Sequence, residues 1–133
     1  MAFLLDTNAW IVYLKSARSP IRFRLENLKP ADVLLCSVVK AELLHGAQKY
    51  GDRERRLRIL TETFAPYASL PFEDVAAAAY AKIRHELEEA GNTIGPNDLM
   101  IGSIAQANNL TLVTHNTAEF GRIAALSVED WET

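Results

Sequence analysis

Three short runs, "FLL" at 3–5, "VLLC" at 33–36 and "LTLV" at 110–113, are almost wholly apolar, and long stretches with helical spacing separate them. A strand covered on one face alternates apolar and polar residues. A parallel strand covered by helices on both faces reads as a continuous apolar run. The alternation therefore predicts an α/β fold: one domain over 1–133, with a mainly parallel central sheet flanked by helices. The expected strands are 2–5, 33–36, a short one within 67–72 and 110–114, with "IAAL" at 123–126 as a final edge strand. Helices are expected over 8–15, 20–28, a stretch from Ser37 as N-cap to residue 49, one beginning at Gly51-Asp52, 73–90 and 96–108. Residues 29–32 read as a loop, and Gly91-Asn92 as a C-cap pair. In such sheets ligands bind beyond the carboxyl ends of the strands, where the strand order reverses. Asp6 and Thr114-His115-Asn116 follow two of these strands, so they should share one rim.

Composition narrows the class. Of 133 residues, 49% are hydrophobic and 23% charged, with no run long enough to span a membrane. No basic region precedes the first apolar residues, which meet Asp6 at once, so the start does not read as a signal peptide. The single cysteine, Cys36, lies in an apolar run and has no disulfide partner in the chain, which points to a reducing, cytoplasmic setting. A net charge of −3 argues against nucleic-acid binding by bulk electrostatics. Local basic clusters exist at Lys15, Arg18, Arg22, Arg24 and Lys29, and at Arg53, Arg55, Arg56 and Arg58. Both patterns fit solvated helix faces, and both fit phosphate contacts beside an acidic site.

Carboxylates occupy places where apolar residues are expected. A strand that ends on Asp6-Thr7-Asn8 can simply turn or cap a helix there. Asp98 leads the face Ile101, Gly102 and Ala105, and either it or Asn97 suits a helix start. Glu42 borders the stripe Val39, Leu43, Gly46 and Tyr50. Three acids converging on one strand rim repel unless a cation lies between them, and oxygen donors favour magnesium or manganese. No Cys/His set with zinc spacing is present, and His45, His85 and His115 are scattered. In "VTHNTAEF", Thr114 and Asn116 fit a turn, with Glu119 an acid in a first helical turn.

Taken in order, "LLDTN", Glu42 in "VVKAELLHGA", "GPNDLMIGSIA" and "LVTHNTAEF" resemble the four blocks of the PIN-domain ribonucleases. Their spacing is most similar to the VapC-type toxins of prokaryotic toxin–antitoxin operons, and the likeness runs from residue 3 to Trp131. The resemblance implies that Asp6 and Asp98 are the principal ligands of Mg2+ or Mn2+, with Glu42 completing the cluster directly or through water. Thr7 and Thr114 become hydroxyls that orient carboxylates, and Asn8 starts the first helix and steadies the Asp6 turn. Many PIN domains carry an aspartate where this chain has Asn116. Its acidic role then passes to Glu119, which leaves one ion or two open. The implied activity is hydrolysis of RNA phosphodiesters, with transfer RNA prominent among targets, in a cytoplasmic homodimer inhibited by a VapB-like antitoxin.

Arg22 and Arg24, two residues apart and so on different helix faces, are the first candidates for RNA phosphate contacts. Two other readings compete. A phosphatase of the haloacid-dehalogenase type also ends its first strand on an aspartate, but its second aspartate falls on Asn8 here. An inactive PIN-like module that only binds RNA or protein would typically lack one of the acids, and Asp6, Glu42, Asp98 and Glu119 are all present.

Overall fold

The central strand β1 (Phe3–Leu5) has only three residues, yet Leu4 and Leu5 are fully buried. Burying a leucine contributes about 1.5–3 kcal/mol, so so short a strand is viable only where both its faces are covered. The computed structural model describes residues 1–132. In it β1 lies between β2 (Val33–Cys36) and β4 (Thr111–Val113), with β3 (Ala68–Leu70) beyond β2 and β5 (Val128–Glu129) beyond β4. The order is β3-β2-β1-β4-β5, and every pairing is parallel.

Parallel neighbours need crossovers, and helices supply them. Helices α1 (Thr7–Lys15) and α2 (Pro20–Glu26) join β1 to β2. Helices α3 (Ser37–Lys49) and α4 (Arg53–Phe64) join β2 to β3. The chain then returns through α5 (Asp74–Glu89) and α6 (Pro96–Ala107) to the other side of β1. A single-turn α7 (Thr117–Phe120) leads to β5. Connections therefore leave β1 and β4 in opposite directions. Their carboxyl ends form the crevice where strand order reverses.

Local signals explain most boundaries. Ser19 caps α2 through Arg22 N–H, and Pro20 fills the first turn, where its missing N–H costs nothing. Gly91, at φ +71°, ends α5: its N–H reaches the Glu88 carbonyl and Asn92 N–H reaches that of Leu87. This paired closure needs a left-handed residue, which glycine adopts without a Cβ clash.

Several expectations need correction. The final strand is not 123–126 but Val128–Glu129, two residues further on. Ile123 is instead buried under α6, where a Cβ on Gly102 would meet its Cδ1 at 2.7 Å. Ala125 has φ 65°, incompatible with a strand. Ser37 does not cap α3. Cys36 holds the cap position without a side-chain bond, and Ser37 Oγ faces the Leu70 carbonyl at 3.5 Å. Helix α2 stops at Glu26, and Pro30–Asp32 closes as a 3-10 turn. The buried stripe of α3 continues through Ala47, whereas Tyr50 is 59% exposed.

Candidate active site

Register places the first pair of site residues. Leu5 lies opposite Val113, and Asp6 N–H donates to the Val113 carbonyl at 3.0 Å. The next residues, Asp6 and Thr114, thus leave adjacent strands side by side. Thr114 Oγ1 donates to Asp6 Oδ2 and accepts from Asn116 N–H at 3.0 Å. Asp6 Oδ1 accepts from Ala9 N–H at 2.9 Å, so the same carboxylate caps α1. The two sequence readings of Asp6, cap and site residue, describe one side chain. Asn8 is exposed in the first turn of α1 and is not its cap.

Glu42 reaches the rim from α3. Its Oε1 accepts from Thr7 Oγ1 at 2.6 Å, and its Oε2 accepts from Asn97 Nδ2 at 3.4 Å. Asn97 thus ties α6 to α3 rather than capping its own helix, which starts at Gly95 with Pro96 in the first turn. Glu119 is held by Asn116 Nδ2 at 2.6 Å and by Gly95 N–H at 3.4 Å. Asp98 sits between these groups. Burial comes first and then the charges of Glu119, Glu42 and Asp6, which together push its carboxyl up to about 6; no hydrogen bond offsets them. Asp6 is also raised, chiefly by burial, against the opposing bonds from Thr114 and Ala9; Glu132 and Glu42 add repulsion.

The four acids expected from sequence come from four separate elements, and the charges of Glu119, Glu42 and Asp6 all act on Asp98, although among the described residues no three of the four bring ligand atoms within 4.8 Å of one another. Their donor set is oxygen only, and Asp98 is half-buried with no hydrogen-bond partner among the described residues to compensate it. A hard divalent cation fits such a set better than a soft or redox metal.

The arginines expected near RNA have partners already. Arg22 Nη2 donates to the Tyr13 carbonyl at 2.5 Å and Nε to that of Ser16 at 3.3 Å, while its guanidinium lies 4.1 Å from the Tyr13 ring centre. It closes the α1–α2 turn. Arg24 is 3.7 Å from Glu129 and packs over Trp131, with its side chain 48% exposed.

Sequence reasoning missed Asn97 as a bridge and the tail beyond β5. His115 Nδ1 lies 3.0 Å from Asp130 and 3.6 Å from Glu132. These three bring possible ligand atoms within 4.8 Å of one another, and the charge of Glu132 acts on Asp6. Only β5, which returns the chain alongside β4, makes them neighbours of His115.

A PIN-domain family model matches residues 3–126. The chain is 36% identical over 131 residues to the tRNA(fMet)-specific endonuclease VapC of Shigella flexneri, covering 98% of each chain. Among solved structures it is similar to VapBC2 from Rickettsia felis bound to a promoter DNA fragment, with a TM-score of 0.92, 34% identity, and coverage of 98% of this chain and 99% of that one. DNA-bound VapBC from Salmonella typhimurium is likewise similar, with a TM-score of 0.92, 35% identity and 98% coverage of both chains.

Proposed function

The chain belongs to the PIN-domain family, and from that premise we propose that it is a VapC-like toxin: a metal-dependent endoribonuclease held in check by a VapB-like antitoxin. The observation that carries this reading is the carboxyl of Asp98, half-buried by the crevice between β1 and β4 and raised to about 6 by that burial and then by the charges of Glu119, Glu42 and Asp6. Full-length similarity to a curated tRNA endonuclease supports RNA as the substrate, with transfer RNA the first class to test. Likeness to VapBC assemblies supports an antitoxin partner, and the active toxin is a homodimer in this proposal.

Asp6 and Asp98 would hold a Mg2+ or Mn2+ ion, with Glu42 and Glu119 completing the acidic ring. When bound, such an ion supplies Lewis-acid stabilisation of charge on a phosphodiester. The chain's own groups prepare the site. Thr114 fixes the Asp6 carboxylate, Thr7 and Asn97 fix Glu42, and Asn116 aims Glu119. Holding four carboxylates in place beforehand avoids reorganisation when an ion and an anionic substrate arrive. Glu42 and Glu119 would serve as the proton acceptors for an attacking water. Arg24, half exposed at the sheet edge, is the better placed of the two arginines for a phosphate contact.

Incubation of purified protein with total transfer RNA tests this. Cleavage is expected with Mg2+ or Mn2+, is stopped by EDTA, and is lost in Asp6→Asn. Binding of RNA without cleavage under any divalent ion would instead support the inactive module.

A further inference from the structure

A groove of about 330 Å³ leads away from Glu42 between α1, α3 and α4, past Leu43, Ala47 and Ile59, to Tyr50 and Arg56. At Tyr50 it meets a broad, polar depression of about 610 Å³ over the start of α4. We propose that this end of the α3–α4 hairpin is a subsite for single-stranded RNA, in which a base stacks on Tyr50 while Arg55 and Arg58 hold backbone phosphates.

Four arginines stand at 53–58 against Asp52 and Glu54, in a chain whose net charge is −3. Two of the four serve the hairpin itself. Arg53 Nη2 faces the Gln48 carbonyl at 3.5 Å, and Arg56 Nε donates to the Gly51 carbonyl at 2.8 Å. Arg56 also lies 5.5 Å from the Tyr50 ring centre, which orders the ring from one side. Arg55 and Arg58 line the depression, sit three residues apart on one helix face, and make no ion pair among the described residues. Asp52 and Glu54 border them without engaging them. An exposed aromatic ring beside unengaged guanidiniums suits a flexible polyanion with flat bases.

Position strengthens the assignment. Tyr50 follows the last residue of α3, and the seven residues from Glu42 to Lys49 rise about 10 Å along the helix axis. A strand whose phosphate lies at the acid cluster would therefore pass Tyr50 within a few nucleotides. Lys15 adds a cation on the same groove. The subsite also meets the charge problem of an acidic site on an acidic protein, which Arg22 and the Glu129-paired Arg24 answer poorly.

The inference rests on the ribonuclease reading, so binding is measured apart from cleavage. The probe is a fluorescein-labelled 12-nucleotide single-stranded RNA, titrated in EDTA across a range of KCl concentrations. The double variant Arg55→Gln/Arg58→Gln is expected to reduce the slope of log K against log salt by about 1.4, for two lost phosphate contacts on a single strand. Tyr50→Ala should weaken binding about tenfold, and Tyr50→Phe should stay near the parent, because stacking needs the ring and not the hydroxyl. Melting curves matching the parent exclude misfolding at these exposed positions. If affinity and slope are unchanged in the double variant and in Tyr50→Ala, the subsite is overturned, and the groove's apolar wall is left to a protein segment. A parent that binds the probe through these residues yet cleaves no RNA with Mg2+ or Mn2+ upholds the subsite and overturns the nuclease reading alone.

Discussion

Asp98 and Asp6 lie in the same cluster, but their neighbours make them respond differently to the loss of charge. Asp98 is raised to about 6 from its ordinary 3.8, with burial and three acidic neighbours uncompensated. Its folded pKa exceeds its unfolded one, so its contribution to stability is full below about 3.8 and is lost as pH rises through about 6. Asp98→Asn should therefore melt above the parent at pH 7 without metal, and the gap should narrow as pH falls to 5 while activity is abolished. A variant melting below the parent at pH 7 would show that Asp98 has a structural partner. Asp6→Asn should gain less. It keeps the cap on Ala9 N–H but turns an amide toward Thr114 Oγ1, whose own hydrogen loses its acceptor. An unsatisfied buried hydroxyl costs about 1–3 kcal/mol, enough to cancel relief from repulsion. In the fourth block, Asn116 aims Glu119, and it is the charge of Glu119 that acts on Asp98. Glu119→Gln should then reduce cleavage more than Asn116→Ala. The opposite ranking in initial rates assigns the function to Asn116.

At the scale of elements, short strands depend on well-ended helices. Helix α5 packs on α6, and α6 presents Asn97 and Asp98 to the rim, so the Gly91 turn between them sets where the acids lie. Gly91→Ala forces a Cβ into left-handed backbone at φ +71°. It should cost about 1 kcal/mol and lower Tm by roughly 3–5 °C, while Gly91→Asn loses less. Thermal melts of the two variants compare them directly. Helix and strand types were legible because their apolar periods differ. The boundaries that failed were those where two local solutions were nearly equal. Ser37 has the chemistry of a cap, yet Cys36 takes that place because β2 runs on until its carbonyl enters α3. "IAAL" has the composition of a strand, yet the space beneath Gly102 draws Ile123 into the core, and β5 forms two residues later.

For the whole molecule, the sheet order turns four remote acids into one site. Repulsion among them is a standing cost of the metal-free fold, and a bound cation removes it. Mg2+ or Mn2+ at one hundred times its Kd should stabilise the parent by about 2.7 kcal/mol, read as a rise in Tm. The rise should largely vanish in Asp98→Asn. Equal shifts in parent and variant would place the ion elsewhere, with His115, Asp130 and Glu132 the next group to replace.

Continuous apolar runs and their helical spacers determined, from sequence alone, a parallel α/β chain with Asp6 and Thr114 at strand ends. Periodicity and strand termini are local properties, set by residues a few positions apart. The four ordered blocks named the acids as well. What only the tertiary structure decided is how each acid is held: Glu42 by Thr7 and Asn97, Glu119 by Asn116 and Gly95, and Asp98 by no hydrogen bond among the described residues. It also decided that Arg22 closes a turn, whereas Arg55 and Arg58 make no ion pair among the described residues. These pairings cross as many as 108 positions of chain, as between Thr114 and Asp6. Their geometry follows from strand order and register, which bring distant residues together and leave no mark in the spacing of either one.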